Sequence, residues 1–101
     1  MKTFNDLVFG AHPSPFFGGK RAELNFDNGY GVSVITGGGA YATEDKTYEL
    51  AVTKDGKITY STNITNDVLG HQTPEEVTQI MEKIQTLLPE WTFKNDKIYN
   101  W

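Results

Sequence analysis

Three consecutive glycines, Gly37, Gly38 and Gly39, come closest to a chemical motif in this sequence. Glycine amides that precede a helix can surround an anion, because their backbone N–H groups are free to point at it. Thr36 precedes the glycines, but no Lys-Ser or Lys-Thr pair follows them, and residues 40–45 do not begin a helical pattern. The stretch therefore predicts a hairpin loop with little intrinsic order instead of a phosphate-binding loop.

The two histidines, His12 and His71, are the next candidates for chemistry. A zinc site normally takes three or four ligands of the His, Cys or carboxylate type, and this chain contains no cysteine. Asp67 and His71 are four positions apart, but Gly70 argues against a shared helix. Nothing in the spacing brings a serine nucleophile, a histidine and an orienting acid together. We expect no metal, no cofactor and no catalytic residue, and hence a protein that is not an enzyme.

Residues 36–45, which we call the glycine loop, are still a candidate for binding a partner, since binding residues concentrate on loops. It carries Tyr41 at its tip, with Glu44 and Asp45 behind. The second candidate is the aromatic tail, residues 89–101. Either its first aromatic residues complete the core beside a helix, or the tail forms a small hairpin that docks on the open sheet or on a second chain. The predicted partner-binding residues are Gly37, Gly38, Gly39, Tyr41, Glu44, Asp45, Tyr99 and Trp101.

Residues 73–89 have the spacing of one amphipathic helix. Thr73 and Glu76 predict a capping box, Pro74 fits the first helical position, and Pro89 should end the helix near Leu87. One face of this helix is apolar and is expected to lie in the core. Its members are Val77, Ile80, Met81, Ile84, Leu87 and Leu88.

Two hairpins precede the helix, with turns at residues 27–29 and 55–56, and their flanking segments alternate between apolar and polar residues. We expect all four strands to place their apolar residues on one face of an antiparallel sheet. These residues are Ala22, Leu24, Phe26, Tyr30, Val32, Val34, Tyr48, Leu50, Val52, Ile58 and Tyr60.

Three further segments have weaker patterns. Residues 3–9 have the aromatic and branched content of a short strand, and residues 10–19 are predicted to be an extended loop. Phe16 and Phe17 lie in that loop and either plug the edge of the core or form an exposed contact patch. Residues 61–72 form a polar connection that leads to the helix.

Together these elements predict one domain, residues 1–101, with a two-layer α+β fold: an antiparallel β-meander of about four to five strands and one C-terminal helix packed on one face. The net charge of −4 and the scattered basic residues argue against nucleic acid as a partner. No apolar run reaches the length of a membrane span, and residues 1–10 lack the continuous apolar region of a secretory signal. We expect neither a membrane nor a nucleic acid among the partners.

Much of the central chain resembles a group of small uncharacterised proteins encoded by tailed bacteriophages and prophages. The matching stretches are FDNGYGVSV, TYELAV and ITNDVLGHQTPEEVTQIM. The group has no activity to transfer, and the aromatic tail is not part of the resemblance. What the resemblance implies is a phage context and a location in the cytoplasm of the bacterial host.

Small acidic phage proteins commonly act by occupying a host protein, as counter-defence inhibitors of the anti-CRISPR type do. The expected function is therefore to bind a host protein and so inhibit a defence factor of the host, and the aromatic tail could also form a homodimer. Two alternatives remain open. One is a sponge or sensor that binds a small molecule or nucleotide at the glycine loop, and the other is an accessory protein of the virion or its assembly.

Overall fold

The computed structural model describes residues 1–14, 16–40, 42–60, 62, 64 and 68–88. These residues form one antiparallel sheet with a helix packed on one face, which confirms the predicted α+β class. The strands are β1 (Gly10–Ala11), β2 (Lys20–Asn25), β3 (Tyr30–Thr36), β4 (Tyr48–Lys54), β5 (Lys57–Ile58) and β6 (Leu69–Gln72). The first five follow one another as a meander, and β6 returns to pair with β4. The helix, α1, spans Pro74–Gln85.

The turn residues explain the two hairpins. Between β2 and β3, the amide of Gly29 donates to the carbonyl of Phe26 and the amide of Phe26 to that of Tyr30, and Gly29 has a φ of +85°. This is the three-residue loop in which a type I turn is closed by a left-handed residue. Between β4 and β5, Asp55 and Gly56 both have positive φ, as a two-residue type I′ turn requires.

The core lies between the sheet and α1. Alternate residues of the three long strands point toward the helix, because side chains alternate between the two faces of a sheet. The buried apolar cluster consists of Leu7, Ala22, Val32, Val34, Tyr48, Leu50, Val52, Val77, Met81 and Ile84.

Helix α1 begins as its sequence predicts. The hydroxyl of Thr73 accepts from the amide of Glu76, and the Glu76 carboxylate accepts from the amide of Thr73. The helix ends at Gln85, before the predicted limit. Ile80 and Leu87 are partly buried against the core, whereas Leu88 is 53% exposed, so its assignment to the core is wrong. Leu88 lies beyond the last helical turn and no longer follows the helical spacing.

The N-terminal segment corrects another prediction. Residues 3–9 do not form a strand, because Phe4–Asp6 is a turn of 3-10 helix. Asp6 accepts from the amide of Thr3 and closes this turn locally. The rings of Phe4 and Phe9 pack on Tyr48 at centroid distances of 4.9 and 5.4 Å. The segment therefore covers the core beside α1.

The second hairpin shows why Ile58 was misplaced. A two-residue turn pairs Lys54 with Lys57 and Thr53 with Ile58, and paired residues share a face. Ile58 therefore lies on the face opposite the core and is 53% exposed. Tyr60, also predicted to point inward, is 51% exposed.

The predicted polar connection, residues 61–72, also contains a strand, which its polar sequence does not predict. Strand β6 pairs Leu69 with Leu50 and Gln72 with Tyr48. The two pairs are three residues apart along β6 but only two residues apart along β4. The extra residue is a β-bulge, and His71 within it is exposed with a φ of +54°. Among the described helices, none is long and apolar enough to cross a membrane.

Candidate interaction surface

Two loops meet at one end of the sheet, and we call their described residues, within 12–19 and 36–47, the apex. The first loop joins β1 to β2, and the second joins β3 to β4. The amide of Gly39 donates to the carbonyl of Phe17 at 3.0 Å. A side chain at Gly38 would overlap that same carbonyl, so the two backbones are in direct contact. The apex is thus one surface built from two loops.

Thr36 organises the second loop, although the sequence shows it only as the last residue before the glycines. Its side chain is fully buried. The hydroxyl donates to the carbonyl of Thr47 at 2.8 Å and accepts from the amide of Asp45 at 3.1 Å. The amide of Thr43 in turn donates to the hydroxyl of Thr47 at 2.7 Å. These bonds hold residues 43–47 as a closed turn, so the loop has more order than three glycines predict.

Phe17 supports the surface from the first loop. Its ring stacks on the imidazole of His12 with centroids 4.2 Å apart. The ring also lies against Gly39, where an added β-carbon would be 2.9 Å from it. A glycine is needed at that position because the aromatic ring occupies the space of a side chain. Phe17 is therefore a packing residue.

Phe16 does the opposite, because its side chain is 98% exposed. The sequence left open whether the two phenylalanines are core plugs or a contact patch. The structure divides the roles, with Phe17 packed and Phe16 in solvent. Adjacent identical residues give no sequence signal for this division, since it depends on which ring faces Gly39.

At the edge of the apex, an ion pair joins the first residue of β2 to the second loop. The ammonium of Lys20 lies 3.0 and 3.2 Å from the two carboxylate oxygens of Asp45. The hydrogen bond to Asp45 and the charge of that residue raise the pKa of Lys20 above its usual value. Nearby, burial raises the pKa of Tyr48, with a smaller contribution from Asp45. The sequence could not reveal the Lys20–Asp45 pair because 25 positions separate the two residues.

The predicted partner-binding residues fall into two groups. Those within the described chain, Gly37, Gly38, Gly39, Glu44 and Asp45, all belong to the apex. Gly37 is buried under the side chain of Glu44, whose carboxylate oxygen lies 2.7 Å from where a β-carbon at Gly37 would be. This carboxylate disfavours an anion at the glycines.

The remaining predicted residues, Tyr41, Tyr99 and Trp101, lie outside the described residues, as does the whole aromatic tail.

His12 makes a local hydrogen bond. The Nδ1 atom of His12 accepts from the backbone amide of Ser14 at 3.0 Å, so this serine meets the imidazole through its main chain. Across the described ranges, no group of three or more His, Cys, Asp or Glu residues could hold a metal ion.

Two clefts lie along α1. One, of about 320 Å³, is lined by Met1, Phe26, Asp27, Asn28 and Gln85. The other, of about 190 Å³, is lined by Phe4, Asn5, Pro74, Glu75 and Thr78. Neither includes a residue of the glycine loop, which is where a small-molecule site was expected.

Comparison of the chain with family models, curated proteins and solved structures gave no match. The apex must therefore be interpreted from its own chemistry.

Proposed function

We propose that this protein is a non-enzymatic binding protein of the phage type, which occupies a host protein through its apex. The observation that carries the proposal is the exposure of Phe16 on an ordered surface. A single exposed apolar residue is ordinary, but a fully exposed phenylalanine beside a hydrogen-bonded loop has the properties of an interface anchor.

The energetic argument rests on preorganisation. An aromatic side chain buries about 150–250 Å² when a partner covers it, and it has few rotatable bonds to immobilise. The backbone around Phe16 is held by the Phe17–Gly39 contact, and the facing loop by Thr36. A partner would therefore order little of the apex on binding, which reduces the entropic cost of association.

Charge at the apex suggests the kind of partner. Glu44, Asp45 and Lys46 are exposed on the second loop of the apex, and Asp45 is already paired with Lys20. A surface that exposes both an aromatic residue and charged residues is typical of protein interfaces. The resemblance to phage proteins supports a host protein as the occupant, and inhibition of a defence factor in the host cytoplasm is the role that fits that context.

Affinity capture tests this function. Wild-type protein, Phe16→Ala and Val8→Ala are immobilised at equal density and exposed to lysate of a bacterial host, and retained proteins are quantified by mass spectrometry. Val8 is the matched control because it is apolar and 85% exposed but lies outside the apex. The proposal predicts one stoichiometric protein that the wild type and Val8→Ala retain and Phe16→Ala loses. Absence of such a protein, or equal retention by Phe16→Ala, would contradict it.

A further inference from the structure

The turn between β2 and β3 contains the one Asn-Gly dipeptide of the sequence, Asn28-Gly29. The side-chain amide of Asn28 donates to the carbonyls of Ile84 and Leu87, each at 2.9 Å. Its oxygen accepts from the amide of Tyr30 at 3.1 Å. Carbonyls at the C-terminal end of a helix lack the usual amide donor four residues ahead, and the Ile84 carbonyl also accepts from the amide of Leu87 at 3.1 Å. Asn28 therefore caps the end of α1 and ties it to the sheet.

The same dipeptide is chemically labile. In an Asn-Gly sequence, the glycine amide nitrogen can attack the asparagine side-chain carbonyl carbon, because no side chain hinders its approach. A C–N bond forms as the glycine amide nitrogen loses its proton, the bond to the side-chain nitrogen breaks, and that nitrogen gains a proton and leaves as ammonia. The product is a succinimide ring. Water then opens the ring to aspartate or isoaspartate. The reaction consumes one water, releases one ammonia and needs no oxidant or cofactor.

The structure holds both reacting groups. The nucleophile, the amide of Gly29, donates to the carbonyl of Phe26 at 3.2 Å. The leaving group is the same Asn28 nitrogen that donates to Ile84 and Leu87. Attack requires that these bonds be released, so the reaction proceeds from a locally opened turn.

The product no longer fits the site. A carboxylate at position 28 cannot donate to either carbonyl, and it places negative charge at the negative end of the helix dipole. Isoaspartate also lengthens the backbone within a three-residue hairpin loop, whose length sets the strand register. Either product favours separation of the helix end from the sheet.

We propose that Asn28 is a deamidation site gated by opening of the helix end, and that its conversion releases the C-terminal end of α1 from the sheet. The full-length protein is incubated at mildly alkaline pH, folded or unfolded in guanidinium chloride, and deamidation at Asn28 is followed by peptide mass spectrometry. The expected rate is lower in the folded protein by more than about tenfold, as local opening of a hydrogen-bonded turn implies. Equal deamidation rates in the folded and unfolded protein would contradict the proposal that deamidation requires opening of the helix end.

The second half of the proposal has its own test. Asn28→Asp represents one product, and Asn25→Asp makes the same charge change at an exposed position of β2 on the sheet face opposite Ala22 and the core. We expect Asn28→Asp to lower the Tm by several degrees and to increase hydrogen exchange at residues 84–87, and Asn25→Asp to do neither. Equal Tm and equal exchange in Asn28→Asp and the wild type would overturn the release.

Discussion

Gly38 lies directly against the backbone carbonyl of Phe17, and a β-carbon at position 38 would overlap that oxygen. Gly38 also has a φ of +54°, which L side chains rarely adopt. The glycine run therefore has a packing role, because it lets the two loops of the apex approach each other. The prediction of a loop with little order rests on the high backbone entropy of glycine. It does not include the Phe17 backbone, which lies where a side chain at position 38 would be.

Gly38→Ala tests this contact. We expect the substitution to lower the free energy of unfolding by about 1–3 kcal/mol, because it combines a backbone clash with a strained φ. Urea denaturation measures the loss. Gly10→Ala is the control, since a β-carbon there would meet nothing within 4 Å. Equal stability of the two variants would show that the loops do not meet as described.

The N-terminal segment is attached to α1 by a pair of hydrogen bonds. The side chain of Gln85 accepts from the amide of Lys2 and donates to its carbonyl, both at 2.8 Å. Gln85→Ala should cost about 1–2 kcal/mol of unfolding free energy and speed hydrogen exchange at residues 2–7, because two backbone groups lose their partner. Gln79→Ala, at an exposed position of the same helix, is the control. Unchanged exchange in Gln85→Ala would refute the attachment.

Met81 tests the assignment of the helix face. Its side chain is fully buried, so Met81→Asp places a charge in the core and should unfold the protein. Gln79→Asp makes the same charge on the exposed face and should leave the circular dichroism spectrum unchanged. A folded Met81→Asp that had lost only partner binding would instead make this helix face a docking site.

Alkaline pH provides a test through Tyr48. Its pKa is raised above the ordinary value of 10.0, mainly by burial, so the folded state holds the phenolic proton more tightly than the unfolded state. Stability is therefore present below pH 10 and falls as the pH rises through the folded pKa. Lys20, whose pKa is also raised, acts in the same direction. Tyr48→Phe should reduce the loss of Tm above pH 10, and Tyr60→Phe, at an exposed ring, should not. Identical alkaline profiles would contradict the burial of the Tyr48 hydroxyl.

The sequence predicted those parts of the fold that depend on local periodicity and turn chemistry. The capping box at Thr73 and the turn at Asp55 follow from residues within a few positions of each other, and both are present. The prediction for Ile58 is wrong because the two-residue turn places Ile58 opposite Thr53. Thr59 instead lies opposite the inward-facing Val52, and its amide donates to the Val52 carbonyl. A register shift of one residue moves a side chain to the other face of the sheet. The alternating pattern does not give the number of turn residues, which sets this register.

The site was harder to predict because its contacts are long-range. The sequence pattern predicts binding residues on the glycine loop, but the residues that order that loop come from elsewhere in the chain. Lys20 reaches Asp45, and Phe17 reaches Gly39, across more than twenty positions in each case. The cap from Asn28 to Leu87 spans 59 positions. Such pairs depend on how strands and helix pack, which local patterns do not encode.

The central claim is that Phe16 anchors a protein partner at the apex, and a binding titration of the captured partner tests it most directly. Isothermal calorimetry with the wild type, Phe16→Ala and Val8→Ala should show a loss of about 2 kcal/mol, or roughly thirtyfold in Kd, for Phe16→Ala alone. All three proteins should keep the same Tm, because both side chains lie in solvent. Equal affinity of Phe16→Ala and the wild type for the partner would contradict the claim.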